Sequence, residues 1–314
     1  MNDDALTLGV DFGGTSVKIG VVSGGEVIDH APPIATQDFE GPDELLEEIG
    51  RAIDGLRQRE LEVVAAGFGM PGFVDFTCGV VRNLTNVSGW QGVALGETME
   101  RCLGLPVVVE NDANCMAFAE WKRGAGMGMD NLVAVTLGTG VGGGIIAHGQ
   151  LIRGSRFGAG EIGQTSVDWR GVPGHYGNRG ALEDMIGNRE MAARAKSIYE
   201  KNGESRSFSE CSPAALSQAA RDGDAIAREI WDEFAQQLAC ALMNCCWLLN
   251  PQAIVVGGGV AKAGEVLFDP LNAHLRAQLS PTFGEHLQLL PARFGNEAGM
   301  MGAAALAWEK AAQQ

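Results

Sequence analysis

Apolar residues near the start of the chain form two short runs, at residues 6–10 and 17–22, which flank a glycine turn at 11–15. Short runs rich in β-branched residues and bounded by glycine predict strands. Residues 43–59 carry apolar positions at helical spacing behind a proline, which is typical of a helix start. Continuing in the same way, the pattern predicts strands at 63–67 and 106–110 and a helix at 112–121.

A second pair of apolar runs, at residues 132–137 and 144–147, flanks another glycine turn at 138–143. The strand–turn–strand module therefore occurs twice, about 125 residues apart, which predicts two related halves. Residues 154–180 are rich in glycine and polar residues and predict mainly loop. The rest of the chain predicts, in order, a helix at 224–249, a strand at 253–256, a helix near 262, a strand near 287–290 and a helix from 296.

The length of 314 residues suits two domains of roughly 100 to 200 residues each. Glycines cluster between residues 120 and 131, and such a cluster is a candidate hinge. We therefore predict an amino-terminal α/β domain over 1–120 and a larger carboxyl-terminal α/β domain over 121–296. The last helix, about 297–314, is expected to pack back on the first domain.

The composition argues against nucleic-acid and membrane partners. The formal net charge is −16, and an acidic surface repels phosphate backbones. The amino terminus lacks the basic start and apolar run of a secretory signal, and no apolar run reaches the roughly 18 to 20 residues that cross a bilayer. The seven cysteines are irregularly spaced without a C-x-x-C pair, which is typical of reduced thiols. We therefore expect a cytoplasmic protein.

The first glycine turn has the residue types of a phosphate site. Gly13 and Gly14 allow backbone N–H groups to approach phosphate oxygens closely. Asp11, at the end of the predicted strand, is a candidate ligand for Mg²⁺, which prefers oxygen. Thr15 and Lys18 add a hydroxyl group and a cation near a transferring phosphate. An ordinary hairpin turn is the alternative interpretation.

The second glycine turn consists of Gly138, Thr139, Gly140, Val141, Gly142 and Gly143. It matches the G-x-G-x-x-G pattern of dinucleotide-binding proteins, in which a helix follows the glycines. Residues 144–147 instead predict a strand. We therefore favour a phosphate-binding hairpin over a nicotinamide-dependent oxidoreductase.

A third glycine run follows the strand predicted at 253–256 and consists of Gly257, Gly258 and Gly259. Because glycine has no side chain, such a turn can lie flat against an adenine or a ribose. A purely structural turn between strand and helix is the alternative.

Asn111 and Asp112 lie where an apolar strand is predicted to end and a helix to begin. One interpretation is helix capping, which asparagine and aspartate favour. The other is a carboxylate at the base of a cleft. There the helix amino terminus would keep Asp112 ionised, as a general base requires.

Two polar, glycine-rich motifs at residues 158–164 and 177–183 contain Glu161, Gln164 and Glu183. Carboxylates and amides suit a polyhydroxylated ligand because each hydroxyl can both donate and accept a hydrogen bond. The alternative is that Glu161 and Glu183 are ordinary surface charges.

Taken together and in this order, the motifs resemble those of the ROK family (repressors, open reading frames, kinases) within the actin-like ATPase superfamily. The resemblance covers nearly the whole chain and is carried by residues 9–15, 110–114, 137–142, 160–163 and 177–180. It implies an α/β, two-domain actin-like ATPase (ribonuclease H-like) fold with an interdomain cleft. It also implies ATP-dependent phosphorylation of a sugar.

The same resemblance implies roles for individual residues. Residues 11–15 and 138–143 would hold the phosphates of ATP with Mg²⁺, and residues 257–259 would border the adenosine. Asn111 and Asp112 would bind the sugar, with Asp112 as the general base. The other sugar-binding positions implied by the family are Gly72, Asn86, Glu161, Gln164 and Glu183.

The chain departs from the family pattern where the family binds a structural zinc ion. The histidine and the three cysteines of that pattern are replaced by Gln164, Gly174, Tyr176 and Ala181. Zinc takes about four ligands, mostly nitrogen and sulfur, so we predict no structural zinc. We expect packing by Tyr176 and Trp169 to brace the loop instead.

The resulting expectation is a hexose kinase that phosphorylates glucose at the 6-hydroxyl. N-acetylmannosamine, N-acetylglucosamine, fructose and allose are alternative substrates, and a non-catalytic sugar-sensing protein is an alternative class. The repressor branch of the family adds an amino-terminal helix-turn-helix, whereas here the first strand is predicted to start at about residue 6. From the resemblance we also expect a homo-oligomer, either a dimer or a tetramer.

Overall fold

The computed structural model describes residues 5–59, 61–84 and 89–313. The strands are β1 (Leu6–Phe12), β2 (Ser16–Ser23), β3 (Glu26–His30), β4 (Ile34–Ala35), β5 (Val63–Met70), β6 (Phe73–Asp75), β7 (Val80–Asn83), β8 (Val107–Asn111), β9 (Leu132–Leu137), β10 (Val141–Ala147), β11 (Gln150–Leu151), β12 (Ala253–Gly257) and β13 (Gln288–Pro291). The α-helices are α1 (Pro42–Arg57), α2 (Leu95–Leu103), α3 (Asp112–Arg123), α4 (Glu183–Ile186), α5 (Asn188–Lys201), α6 (Pro213–Arg221), α7 (Ala225–Leu249), α8 (Glu265–Ala277), α9 (Pro281–Gly284) and α10 (Ala298–Ala312).

The chain divides into two compact units. The first contains the chain up to Met127, the segment Leu151–Ala159 and the chain from Asn296. The second contains Gly128–Gln150 and Gly160–Gly295. Within the ranges that the structure describes, none of the helices combines the length and the apolar character needed to cross a bilayer.

The first unit is built on a mixed sheet with the strand order β3-β2-β1-β5-β8 and with β4 beside β2. β1 pairs antiparallel with β2 and parallel with β5, and β5 pairs parallel with β8. β1 and β5 are buried along most of their length, as expected for parallel strands covered on both faces. The carboxyl ends of three parallel strands therefore meet at one edge of this sheet.

Helix α10 packs on β1, β5 and α3 through glycines. A Cβ atom on Gly67 of β5 would collide with the carbonyl oxygen of Ala303 in α10. A Cβ atom on Gly302 of α10 would collide with the carbonyl oxygen of Cys115 in α3. The backbones of these elements touch directly, so glycine is required at both positions.

The second unit repeats the arrangement of the first, with the strand order β11-β10-β9-β12-β13. β9 pairs antiparallel with β10 and parallel with β12, and β12 pairs parallel with β13. The long helix α7 packs against α8 and buries Trp231, Leu238 and Leu242 in the core of this unit. The shared strand order agrees with the two related halves indicated by the repeated strand–turn–strand module.

A strand follows the second glycine turn, as the sequence predicts. It begins earlier than expected, at Val141 rather than Gly144, because the intervening glycines already pair with β9, for example Gly142 with Thr136. The helix predicted near residue 262 is a 3-10 turn at Val260–Ala263, and α8 starts at Glu265. With a strand after the glycines, the turn is not a dinucleotide-binding fingerprint.

Candidate active site

In the first unit, strand register brings the predicted phosphate and sugar residues to the same edge of the sheet. Asp11 near the end of β1 is paired with Gly69 of β5, which is paired with Glu110 of β8. One residue further along, Met70 of β5 is paired with Asn111. Because neighbouring strands lie about 4.8 Å apart, Asp11 is about two strand spacings, or about 10 Å, from the Glu110–Asn111 backbone.

Asp11 occupies a largely enclosed position between a lysine and a helix end. Burial raises the pKa of its carboxyl group, and the Lys18 ammonium, 3.6 Å from Asp11 Oδ2, partly offsets this effect. Lys18 Nζ also donates to the carbonyl oxygen of Asn296 at 3.2 Å. On the other side, a Cβ atom on Gly299 in the first turn of α10 would lie 2.7 Å from Asp11 Oδ1, so a glycine is needed there.

The donor chemistry at Asp11 fits a magnesium ion. Mg²⁺ in nucleotide enzymes is held by one or two carboxylates together with substrate phosphates and water, not by a cage of protein ligands. Among the described residues there is no group of three or more histidines, cysteines and carboxylates arranged to hold a metal on its own. A single carboxylate beside a glycine turn matches the few protein ligands that such a metal uses when it arrives with a nucleotide.

The turn after β1 is open at the positions where a phosphate would approach. The Gly13 N–H group donates to the carbonyl oxygen of Ser16 at 2.9 Å, which closes the turn. Gly14 and Thr15 are exposed, and apart from the adjacent residues no described atom lies within 4 Å of the point where a Cβ on Gly14 would stand. The turn is thus closed by a hydrogen bond at its base and exposed at its tip.

Asn111 caps helix α3 and also fixes the neighbouring loop. Its Oδ1 accepts a hydrogen bond from the Asn114 N–H group at 3.0 Å, and its Nδ2 donates to the carbonyl oxygen of Gly72 at 3.0 Å. Gly72 has a φ of 84°, which favours glycine. The capping interpretation of Asn111 is therefore correct, and the same side chain holds the Gly72 turn beside it.

Asp112 is the first residue of α3, which starts directly at the end of β8. Its Oδ1 accepts a hydrogen bond from the Ala113 N–H group at 2.8 Å. The amino terminus of a helix stabilises negative charge in its first turn. The fold thus presents an aspartate at the same sheet edge as Asp11.

Sequence reasoning missed a buried ion pair beneath these residues. Glu110 is only 2 % exposed, and its Oε1 accepts from the Asn111 N–H group at 3.0 Å and from Asn114 Nδ2 at 3.1 Å. Its Oε2 accepts from Arg153 Nε at 2.6 Å, and the Arg153 guanidinium stacks on the ring of Phe76. Glu110 therefore positions the turn that presents Asn111. The sequence feature that could have indicated this ion pair is a charged residue near the end of an apolar strand.

The buried thiol of Cys115, one turn into α3, lies among these carboxylates. Burial raises its pKa well above the usual range, and the negative charges of Glu110, Asp112 and Asp11 raise it further. A thiol with this environment stays protonated and unreactive. The common influence of the three acids on one sulfur atom agrees with their convergence at this sheet edge.

In the second unit, two glycine turns lie side by side at the carboxyl ends of parallel strands. Gly257 at the end of β12 is paired with Thr136 of β9. Gly258 has a φ of 84°, and a Cβ atom there would collide with the carbonyl oxygen of Leu137. The turn at 257–259 therefore packs directly against the start of the turn at 138–143.

Glu183 contacts the second glycine turn, although the resemblance assigns it to sugar hydroxyls. Its Oε2 accepts from the Val141 N–H group at 2.8 Å. Its Oε1 accepts from Gln164 Nε2 at 3.2 Å. Nearby Glu161 is partly buried, and burial together with the charge of Glu183 raises the pKa of its carboxyl group. The structure thus brings Glu161, Gln164 and Glu183 together with the 138–143 turn.

The residues at the family's zinc positions do not fit a zinc ion. Gln164 Nε2 donates to Glu183, and Ala181 is completely buried without a ligand atom. Gly174 is surrounded by oxygen, since a Cβ atom there would lie 2.5 Å from Asp184 Oδ2 and 2.9 Å from Asn178 Oδ1. The four residues at these positions therefore offer no imidazole or thiolate, the ligands that zinc prefers.

The expectation that Tyr176 and Trp169 brace this loop is wrong. Tyr176 is 53 % exposed and Trp169 is 73 % exposed. Tyr176 makes an edge-to-face pair with the ring of the neighbouring His175, and Trp169 lies under the Arg170 guanidinium. Backbone hydrogen bonds brace the loop instead, with donor and acceptor pairs Val167 to Gly180, Gly180 to Val172, Gly174 to Asn178 and Leu182 to Thr165.

The predicted sugar residue Asn86 lies outside the described residues. The other predicted residues form two groups, one in each unit. The first unit holds Asp11, Gly13, Gly14, Thr15, Lys18, Gly72, Asn111 and Asp112. The second holds Gly138, Thr139, Gly140, Gly142, Gly143, Glu161, Gln164, Glu183, Gly257, Gly258 and Gly259.

Comparison with known proteins identifies relatives along almost the entire chain. The model of the ROK family matches residues 7–310. A glucokinase from Halalkalibacterium halodurans is 34 % identical over 311 residues, covering 95 % of this chain and 94 % of the relative. The structure is also similar to that of a ROK family glucokinase from Streptomyces griseus in complex with glucose and AMPPNP. That similarity has a TM-score of 0.83 and 34 % identity and covers 97 % of this chain and 100 % of the other.

A DNA-binding relative also matches. The DNA-binding transcriptional repressor Mlc of Escherichia coli is 28 % identical over 304 residues, covering 95 % of this chain and 74 % of the repressor.

Proposed function

This chain belongs to the ROK family and is an ATP-dependent sugar kinase with the actin-like ATPase fold, and we propose that it phosphorylates glucose at the 6-hydroxyl with Asp112 as the general base. The observation that carries the proposal is the arrangement at the edge of the first sheet. There Asp112 begins helix α3 while Asp11 and its open glycine turn lie two strands away. A proton acceptor and a phosphate site at one edge are what phosphoryl transfer to a hydroxyl requires.

The reaction begins with proton transfer. Asp112 accepts the proton of the 6-hydroxyl group, and the resulting oxygen attacks the γ-phosphorus of ATP in line with the bond to the β-phosphate. That bond breaks, ADP leaves, and the sugar 6-phosphate forms. The proton on Asp112 is then lost to solvent. The amino terminus of α3 favours the ionised form of Asp112 that the first step needs.

The glycine turns act mainly by positioning. The turns at 13–15 and 138–143 hold the phosphates through the backbone N–H groups of exposed residues such as Gly14 and Thr139, while the N–H groups of Gly13, Gly138 and Val141 keep their hydrogen bonds within the protein. Residues 257–259 border the adenosine. Mg²⁺, when bound, neutralises the charge that develops on the phosphates. Asp11 would hold it, and Lys18 beside Asp11 supplies a further positive charge.

The sugar is held by residues with free hydrogen-bonding capacity. Gln164 Oε1 is buried, and no described group of the protein donates to it, so it can accept from a sugar hydroxyl. Glu161 supplies carboxylate acceptors nearby. We propose glucose as the substrate because relatives of this chain are glucokinases and a similar solved structure is a complex with glucose. N-acetylmannosamine, N-acetylglucosamine, fructose and allose are the competing candidates.

The test is a measurement of ADP release from ATP with Mg²⁺ in the presence of each of these five sugars. We expect glucose to give the highest kcat/KM, and the product to be the 6-phosphate by NMR. A clear preference for another sugar would replace glucose as the substrate. No turnover with any sugar would overturn the proposed reaction and favour a sugar-sensing protein.

A further inference from the structure

A chain of hydrogen bonds in the second unit connects a predicted sugar residue to a predicted phosphate turn. Gln164 Nε2 donates to Glu183 Oε1 at 3.2 Å, and the Val141 N–H group donates to Glu183 Oε2 at 2.8 Å. Each carboxylate oxygen of Glu183 thus has a different partner. One partner belongs to the sugar-binding residues and the other to the turn at 138–143.

The orientation of the Gln164 amide follows from its partner. The carboxylate of Glu183 can only accept hydrogen bonds when ionised, so the NH₂ group of Gln164 must face it. The amide oxygen then points elsewhere. Gln164 Oε1 is buried, and within the described ranges no protein group donates to it. A buried acceptor without a donor is costly, so a ligand hydroxyl is a favourable partner for this atom.

The contact between Glu183 and the glycine turn is close. A Cβ atom on Gly140 would collide with Glu183 Oε2, so the carboxylate takes the space of a missing side chain. Val141 is the first residue of β10, and the Gly138 N–H group donates to the carbonyl oxygen of Gly140 at 3.0 Å. Glu183 therefore holds the backbone at the point where the turn becomes a strand.

We propose that Gln164 and Glu183 form a relay that couples sugar binding to nucleotide binding. A sugar hydroxyl that donates to Gln164 Oε1 polarises the amide and strengthens its hydrogen bond to Glu183. Glu183, in turn, fixes the Val141 N–H group and the glycine turn in the conformation that accepts phosphates. This inference rests on the proposed function and makes Glu183 a positioning residue for the phosphate site as well as a sugar neighbour.

The relay is tested by the affinity for AMPPNP with Mg²⁺, measured by calorimetry with and without the saturating sugar that gives the highest turnover. In the unmodified protein we expect the sugar to tighten AMPPNP binding by about fivefold or more, within the usual range of coupling between sites. Glu183→Gln replaces one acceptor oxygen by an NH₂ group. We expect the coupling in this variant to fall below about twofold, because one partner of Glu183 is then lost.

Glu161→Gln is the matched control, since it makes the same chemical change at a neighbouring glutamate for which no hydrogen bond to the turn is found among the described residues. It is expected to weaken sugar binding but, at saturating sugar, to keep the coupling. Comparing affinities with and without sugar in each variant removes the direct effect of the lost charge on phosphate binding.

Gln164→Met is a second test that does not depend on the folding of the Glu183 variant. It removes the amide but keeps the approximate length of the side chain, and it should also abolish the coupling. Coupling that persists in either Glu183→Gln or Gln164→Met would overturn the relay, as would its absence in the unmodified protein. An active kinase with such a result keeps its proposed function, whereas an absence of turnover would count against the reaction itself.

Discussion

Asn111 shows how one residue can satisfy a structural and a functional interpretation together. Its amide oxygen caps α3 and its amide nitrogen holds the Gly72 turn, so the side chain is fixed from two directions. Asp112 follows immediately and takes its position from that cap. The capping role of Asn111 and the proposed catalytic role of Asp112 are therefore not alternatives, because the cap fixes the residue that begins the helix.

At Asp112, the change to asparagine tests the general base. An asparagine Oδ1 can still accept from the Ala113 N–H group, so the local structure and sugar binding should be kept. The amide cannot accept the proton, and we expect kcat to fall by about 100-fold or more, the usual scale for a general base. Steady-state kinetics give kcat and the KM for the sugar. The control is Asp54→Asn, at an exposed aspartate of α1, which should leave kcat unchanged. Near-normal turnover in Asp112→Asn would exclude Asp112 as the general base.

At Glu161, the raised pKa predicts an unusual pH dependence of stability. Its usual value is 4.5, and burial and Glu183 raise it in the folded protein. At pH values between the pKa of Glu161 in the unfolded protein and its higher pKa in the folded protein, the folded state binds more protons than the unfolded state. The contribution of Glu161 to the free energy of unfolding therefore falls as pH rises. Urea unfolding from pH 4 to 7 should show the difference between the unmodified protein and Glu161→Gln decreasing with pH.

The exposed residue Glu229 provides the comparison for this measurement. Glu229→Gln makes the same chemical change at a surface position, and the trend measured for Glu161→Gln is compared with it. A difference for Glu161→Gln that increases with pH would contradict the raised pKa.

At the scale of elements, the packing of α10 on α3 depends on direct backbone contact. Gly302→Ala would place a methyl group against the carbonyl oxygen of Cys115, where no flexible side chain can move aside. We expect a loss of about 1–3 kcal/mol in the free energy of unfolding, the usual cost of overpacking. Gly55→Ala is the matched control, because Gly55 is an exposed glycine inside α1 and, outside the adjacent backbone of its own helix, no described atom lies within 4 Å of the added Cβ.

The control substitution should raise the free energy of unfolding rather than lower it. Alanine favours a helix interior over glycine, so Gly55→Ala should stabilise the protein by about 0.5–1 kcal/mol. Chemical denaturation of the two variants measures both effects. Equal effects for the two substitutions would show that α10 and α3 are not in close contact.

The loop between Gln164 and Glu183 should not depend on zinc. Backbone hydrogen bonds close the loop, and Gln164, Gly174, Tyr176 and Ala181 at the family's zinc positions supply neither an imidazole nor a thiolate. Elemental analysis of the purified protein is expected to find less than about 0.1 zinc per chain. Treatment with EDTA followed by dialysis should leave the Tm unchanged. One zinc per chain, with a lower Tm after its removal, would contradict this prediction.

At the scale of the whole molecule, the net charge of −16 governs the interaction with polyanions. A repressor is among the relatives of this chain, so DNA binding is a meaningful test. Because binding to DNA requires positive charge against the phosphates, we expect no saturable binding to duplex DNA below about 100 µM at physiological salt. Fluorescence anisotropy of a labelled duplex, titrated with the protein, measures this binding. Binding that weakens steeply as salt is added would show a basic surface that the net charge conceals.

The local patterns of the sequence determined much of the architecture. Apolar runs bounded by glycine gave the two strand–turn–strand modules, β1–β2 and β9–β10, and helical spacing gave α1 and α7. These features could be predicted because strand and helix periodicity are properties of neighbouring residues. The order of the motifs was sufficient to indicate the ROK family, and the strand after Gly143 excluded a dinucleotide fold.

Only the tertiary structure decided which distant residues meet. Glu183 holds Val141 across 42 positions, and Glu110 binds Arg153 across 43. Gly299 lies against Asp11 although almost the whole chain separates them, and Tyr176 and Trp169 face outward rather than brace their loop. The periodicity of a sequence states which face of an element is buried. It does not state which element covers that face, because that choice depends on how all the strands and helices pack together.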